Sequence, residues 1–182
     1  KNLGAIGDGG AVTGAREGVD LVRKLRVYGW TTPQFAEIPH GRCSRLDELQ
    51  AAYLNVRRKG LSADVRARRK AARSYQEALA GVPVELPVER TGAQHAFHLF
   101  VVKSDKRDGL RDHLREAGIG TGLHYPFPAH LQPALAANAR IEGTLNATLR
   151  LQQRILSLPM FATISDTEIG RVVDAIRGYF RS

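Results

Sequence analysis

The 182-residue chain has one cysteine, one methionine and one tryptophan, and aromatic residues make up only 7% of it. A single thiol, Cys43, excludes an internal disulfide framework. Cys43 and six scattered histidines also supply no spaced metal-ligand set, so no metal site is expected. No apolar run approaches the length of a membrane span, and the first residues lack the order of charged, apolar and small residues found in a signal peptide. No membrane partner is expected, and the composition suits a soluble, cytoplasmic protein. Internal repeats and low-complexity segments are also missing.

What is present is a globular composition, 43% hydrophobic, long enough for one ordinary core or two small ones. Lys and Arg number 27 against 18 Asp and Glu, a net charge of +9 that favours anionic partners. The densest basic run extends from Arg57 through Lys59, Arg66, Arg68, Arg69 and Lys70 to Arg73. No aromatics are interleaved to stack on bases, so this run reads as a solvated helix face rather than a nucleic-acid surface.

Taken in order, Ala11 to Thr13 is expected as a short strand and Ala15 to Tyr28 as a helix, with apolar residues at Ala15, Val19, Val22 and Leu25 and with Gly29 at its C-terminal end. Trp30 to Arg42 has no period, and Pro33, Pro39 and Gly41 mark it as loop. Ser44, with Asp47 three residues on, predicts a capped helix whose apolar stripe is Leu46, Leu49, Tyr53 and Val56. Gly60 breaks it, and a second helix carries Val65, Ala72, Tyr75 and Leu79. A domain boundary is expected near Gly60.

The segment 82–88 holds two prolines and cannot be an interior strand, whereas 97–102 has high β propensity. A helix over 105–117, a short strand over 120–125 and a stiff Pro126-Phe127-Pro128 corner follow, with His124 and His130 flanking the corner. Helices are predicted over 145–156 and 167–180, the last capped by Ser165 with Glu168. This order describes an α/β portion joined to a smaller α+β domain.

The opening stretch, Lys1-Asn2-Leu3-Gly4-Ala5-Ile6-Gly7-Asp8-Gly9-Gly10-Ala11-Val12, joins a primary amine to a glycine-dense turn. An amine can form a Schiff base with a carbonyl, and glycines let backbone N–H groups approach an anion. By itself this pattern is far more often a solvated loop lysine than a catalyst. Three further blocks change its company: Ser44-Arg45-Leu46-Asp47-Glu48-Leu49-Gln50-Ala51-Ala52, then Gly118 through Gly122-Leu123-His124-Tyr125-Pro126, and finally Leu156-Ser157-Leu158-Pro159-Met160-Phe161. In this order the four blocks resemble the DegT/StrS family of pyridoxal-phosphate-dependent aminotransferases, which act on nucleotide-linked keto sugars.

The resemblance implies the C-terminal portion of a fold-type I, aspartate aminotransferase-like α/β transferase. Residues 1–59 would be a remnant of the large, pyridoxal-phosphate-binding domain, and 60–182 the small α+β C-terminal domain. Lys1 matches the lysine that both holds pyridoxal 5'-phosphate and moves the proton in catalysis. His124 and Tyr125 match positions near the nucleotide-sugar substrate. The family also implies an amino-acid donor, glutamate, and a homodimer. Cys43 departs from the family's usual Asn, which reaches the neighbouring subunit's cofactor phosphate, and a thiol is a poorer donor than an amide. Leu145-Asn146 departs from the usual Leu-Pro. In the family, the carboxylate for the pyridine nitrogen, the ring-stacking aromatic and most phosphate donors precede the lysine. The chain is therefore expected to be inactive alone. The alternatives are a sugar-nucleotide-binding relative without catalysis and a basic nucleic-acid-binding or regulatory module.

Overall fold

The computed structural model describes residues 1–136 and 139–181. They fall into two compact units, Lys1 with residues 3–62 and Asn2 with residues 63–182.

In the first unit α1 spans Arg16–Leu25, with Glu17 in its first turn and Arg23 and Lys24 in its last, each at the favourable end of the helix dipole. Backbone hydrogen bonds from Tyr28 N to Arg42 O and from Ser44 N to Arg26 O lay an extended 42–44 segment along the end of α1, with a bridge between Val27 and Cys43. This segment corrects the predicted capping box. Ser44 is held extended, and α2 (Glu48–Arg58) starts after Asp47, which makes no side-chain capping bond. Ala11 to Thr13 is not a strand either, because these exposed residues lie outside any ladder.

The predicted loop after Gly29 contains a small antiparallel hairpin, β1 (Trp30–Thr32) with β2 (Phe35–Ala36). Strands of three and two residues are too short to show a period. Gly29 makes the return possible. It has φ +75°, and its carbonyl accepts from both Glu37 N and Ile38 N. A Cβ there would lie 2.1 Å from the Ile38 carbonyl oxygen.

Gly29 is also the only buried residue among those described in 1–62. The stripe expected to pack from α2 is largely open to solvent, with Leu49 80% and Val56 66% exposed.

The second unit holds the core. α3 (Leu61–Ala78) turns Ala71, Ala72 and Tyr75 inward, and Leu79 follows. β3 (Phe100–Lys103) pairs antiparallel with β4 (Ile155–Leu158), Phe100 opposite Leu158 and Lys103 opposite Ile155. Over one face pack α4 (Arg107–Glu116), through Leu110 and Leu114, and α7 (Asp166–Arg181), through Ile169, Val172, Val173 and Ile176. Tyr75 stacks on Phe100 with centroids 4.9 Å apart and donates its hydroxyl to Pro159 O at 3.1 Å. Each fully buried large apolar side chain here contributes about 1.5–3 kcal/mol.

α6 (Asn146–Arg154) ends before the predicted 156, and β4 begins at once. The apolar spacing through Leu156 suits a helix. Pairing with β3 prevails because it buries Leu156, Ser157 and Leu158 in one run. Strand β3 likewise starts at Phe100, later than the predicted 97. Glu85 makes a single antiparallel bridge to Lys103, an edge position that a proline-containing segment tolerates. The expected box at the start of α7 is present: Glu168 accepts from Ser165 N at 2.8 Å, and Ser165 Oγ accepts from Glu168 N at 3.2 Å. Between α4 and α6 lie a 3-10 turn (Ala129–Leu131) and α5 (Pro133–Ala136).

Candidate functional site

In the first unit, Lys1 begins a tight turn in which Gly4 N donates to Lys1 O at 3.0 Å. Its side chain is exposed, and among the described residues no ion pair is recorded for it. The following glycine-rich stretch, Asp8 to Val12, forms one wall of an open groove of about 1050 Å³. Val19, Val22 and Arg23 of α1, Arg26 just after it and the segment Ser44 to Leu46 form the others. Gln50 Nε2 holds the first wall by donating to Asp8 O at 3.1 Å. Arg23 is paired with Asp20 at 2.6 Å, leaving Arg26 and Arg45 as the groove's other cations. Lys1 is not part of the lining.

Cys43 is a free, exposed thiol. The Tyr28 hydroxyl hydrogen-bonds to it, and Arg45 Nη2 donates to its Sγ at 3.7 Å; both hold the thiol below its usual range. The same contact pushes the Tyr28 hydroxyl upward. The side chain standing where the family has Asn is thus engaged within its own unit.

In the second unit, His124 and Tyr125 lie together on the segment that leaves α4, with rings 5.4 Å apart at 76°. The predicted strand 120–125 reduces to one bridge, in which Gly122 and Ser157 exchange both backbone hydrogen bonds. His124 Nδ1 lies 2.9 Å from Ser157 Oγ, and both His124 and Tyr125 are exposed. Gln152 Nε2 donates to Pro126 O at 2.6 Å and ties the proline corner to α6. Lys1 belongs to the other unit, so within one unit only His124 and Tyr125 are brought together. Ser157 lies inside one of the four sequence blocks and carries no motif of its own. A serine inside Ile155-Leu156-Ser157-Leu158 was the available signal, because a polar side chain buried in a strand needs a partner.

The basic helix α3 is largely engaged internally. Arg68 Nη1 reaches the carbonyls of Phe97, His98 and Met160 at 3.3, 3.3 and 3.0 Å. Arg69 pairs with Glu89, and Lys70 lies 3.8 Å from Asp166. Among the described residues no group of His, Cys, Asp and Glu is placed to hold a metal ion, and no helix is long and apolar enough to cross a membrane.

Residues 1–177 match the DegT/DnrJ/EryC1/StrS aminotransferase family, and the chain belongs to that family. It is 42% identical over 179 residues to the dTDP-3-amino-3,4,6-trideoxy-alpha-D-glucose transaminase of Streptomyces venezuelae, covering 97% of this chain and 47% of that protein. It is 39% identical over 185 residues to a pleiotropic regulatory protein of Geobacillus stearothermophilus, covering 100% of this chain and 50% of the other. Among solved structures, S. venezuelae DesV in complex with a ketimine intermediate superposes with a TM-score of 0.88 at 41% identity, over 100% of this chain and 49% of that one. The chain thus spans about half the length of the curated relatives it matches.

Proposed function

We propose that this chain contributes the cofactor lysine and a substrate contact to a pyridoxal-phosphate-dependent aminotransferase of nucleotide-linked keto sugars, and that alone it has no meaningful transaminase activity. The observation that carries this is the family match across 1–177, a span that includes the exposed Lys1. Such a primary amine can condense with the cofactor's aldehyde to form a Schiff base. When bound, pyridoxal phosphate supplies a ring that withdraws electrons from the substrate carbon. Lys1 anchors it and moves the proton at that carbon. His124 and Tyr125 present polar atoms to the nucleotide sugar, and the assembly works as a cytoplasmic homodimer with glutamate as donor.

The named S. venezuelae transaminase and the ketimine complex of DesV support this chemistry, and they also supply the test. This chain is joined to the portion of the S. venezuelae relative that it does not span, pyridoxal phosphate is added, and borohydride fixes the adduct for peptide mapping. The label is expected on Lys1 of the joined protein, while the unjoined chain transfers no amino group. A label elsewhere, or none, refutes the role of Lys1. Nucleotide-sugar binding without any label would instead indicate a non-catalytic relative.

A further inference from the structure

Ser157 is 4% exposed, and His124 Nδ1 is the only hydrogen-bond partner recorded for its hydroxyl among the described residues. The hydroxyl has one hydrogen to give. If Nδ1 carried a proton, it would donate to Ser157 Oγ and leave that buried O–H without an acceptor. If Nδ1 is bare, the O–H donates to it and both groups are satisfied. Leaving a buried donor unpaired disfavours an arrangement by roughly tenfold or more.

We infer that Ser157 is a positioning residue that fixes neutral His124 with its proton on Nε2, making the exposed end of the ring a hydrogen-bond donor for a diphosphate oxygen. The choice of ligand rests on the proposed function, whereas the proton's position rests on Ser157 alone. Strand pairing makes the arrangement rigid. Ser157 sits on β4 with Val101 opposite on one side and Gly122 bridged on the other, so its Oγ cannot follow the ring if the ring moves. Gly122 supplies the space: a Cβ there would lie 2.6 Å from His124 Cε1 and 3.3 Å from Nδ1. A side chain at 122 would therefore displace the imidazole from Ser157 while leaving the hydroxyl intact. Nε2 has no recorded partner among the described residues, which leaves it available to a ligand. A neutral Nε2–H donor accepts no proton from a diphosphate and offers it a directed hydrogen bond.

The test is long-range proton–nitrogen correlation on the full chain labelled with 15N-histidine, at a pH high enough that His124 is neutral. The native chain is expected to show a pyridine-like Nδ1 and a pyrrole-like Nε2, with the Nε2–H form in roughly tenfold excess or more. Ser157→Ala and Gly122→Ala should each shift this pattern toward the mixture of a solvent-exposed imidazole, and Ser157→Thr, which keeps a hydroxyl, should restore it. Backbone amide spectra confirm that each variant folds, and Ser157→Thr and Gly122→Ala keep the test decisive if Ser157→Ala does not. A protonated Nδ1 in the native chain, or an unchanged pattern in both Ser157→Ala and Gly122→Ala, overturns the inference. Thymidine diphosphate is then added to the native chain, and movement of the Nε2 signal supports the ligand. If the tautomer behaves as expected but the diphosphate leaves His124 unmoved, the positioning role holds and the substrate assignment of His124 falls.

Discussion

Replacing Arg68 with methionine separates a structural cation from a ligand-binding one. Arg68 lies on α3, where its Nη1 reaches three carbonyls that belong to two distant stretches, Phe97 and His98 ahead of β3 and Met160 after β4. The guanidinium is held below its usual range, first by burial, with Asp64 acting in the opposite sense. One Nη1 has two hydrogens, so these contacts count as about two charge-assisted bonds, of about 1.5–3 kcal/mol each at good geometry. Two of the distances are 3.3 Å, which places the pair at the weak end. Methionine keeps the apolar stem but leaves the carbonyls without this donor, so Arg68→Met should cost the second unit about 2–4 kcal/mol. With a mid-range urea slope of about 2 kcal/mol per molar, its midpoint should fall by about 1–2 M. Because the chain has two units, the transition should be followed by hydrogen exchange in β3, β4 and α7 rather than by one global probe. A loss under about 0.5 kcal/mol, accompanied by salt-sensitive binding of DNA or RNA that disappears in the variant, would refute the reasoning and assign the basic helix to an anionic polymer.

Gly29→Ala should strip protection from the amides of β1 and β2 while leaving those of β3 and β4 unchanged, because the new Cβ meets the Ile38 carbonyl and φ +75° costs about 1–2 kcal/mol in any other residue; equal protection in both proteins would refute the close approach. Stability of the second unit should also fall in acid. Glu85 is held below the usual carboxylate range by Lys103 and then Arg154, Glu89 by Arg69 and then the His95 N–H, and Glu168 by the N–H and hydroxyl of Ser165. Folded values below unfolded ones mean that the stabilisation is complete above about pH 4.5 and is lost as pH falls through the folded values. Urea midpoints in the second unit should therefore be level from neutral pH to about 5 and decline below it. Glu168→Gln should make that decline shallower, and an unaltered slope would count against the cap.

Several elements were legible in the residues because their signals are local. α1 and α3 each announce themselves by helically spaced apolar residues, and the Ser165–Glu168 box that opens α7 needs only residues three apart. The errors share a cause. The residues of β4 read as the end of a helix, and those of the 30–36 hairpin as loop, because both owe their conformation to a backbone distant in sequence or to a turn with no period. Ser44 has the spacing of a cap, but the 42–44 segment is bonded to the end of α1 instead.

The sequence by itself determined the family, since four ordered blocks suffice for that, and with it the identity of Lys1, His124 and Tyr125 as candidates. It also determined the excess of positive charge, though not where the cations go. Only tertiary structure decided that Arg68 is turned onto carbonyls, that Cys43 is engaged by Tyr28 and Arg45, and that His124 rests on Ser157, 33 residues away. The reason is physical. Helical period and capping are written in neighbouring residues, whereas the partner of a buried hydroxyl or a guanidinium is set by which strands pair, and pairing is a property of the folded chain.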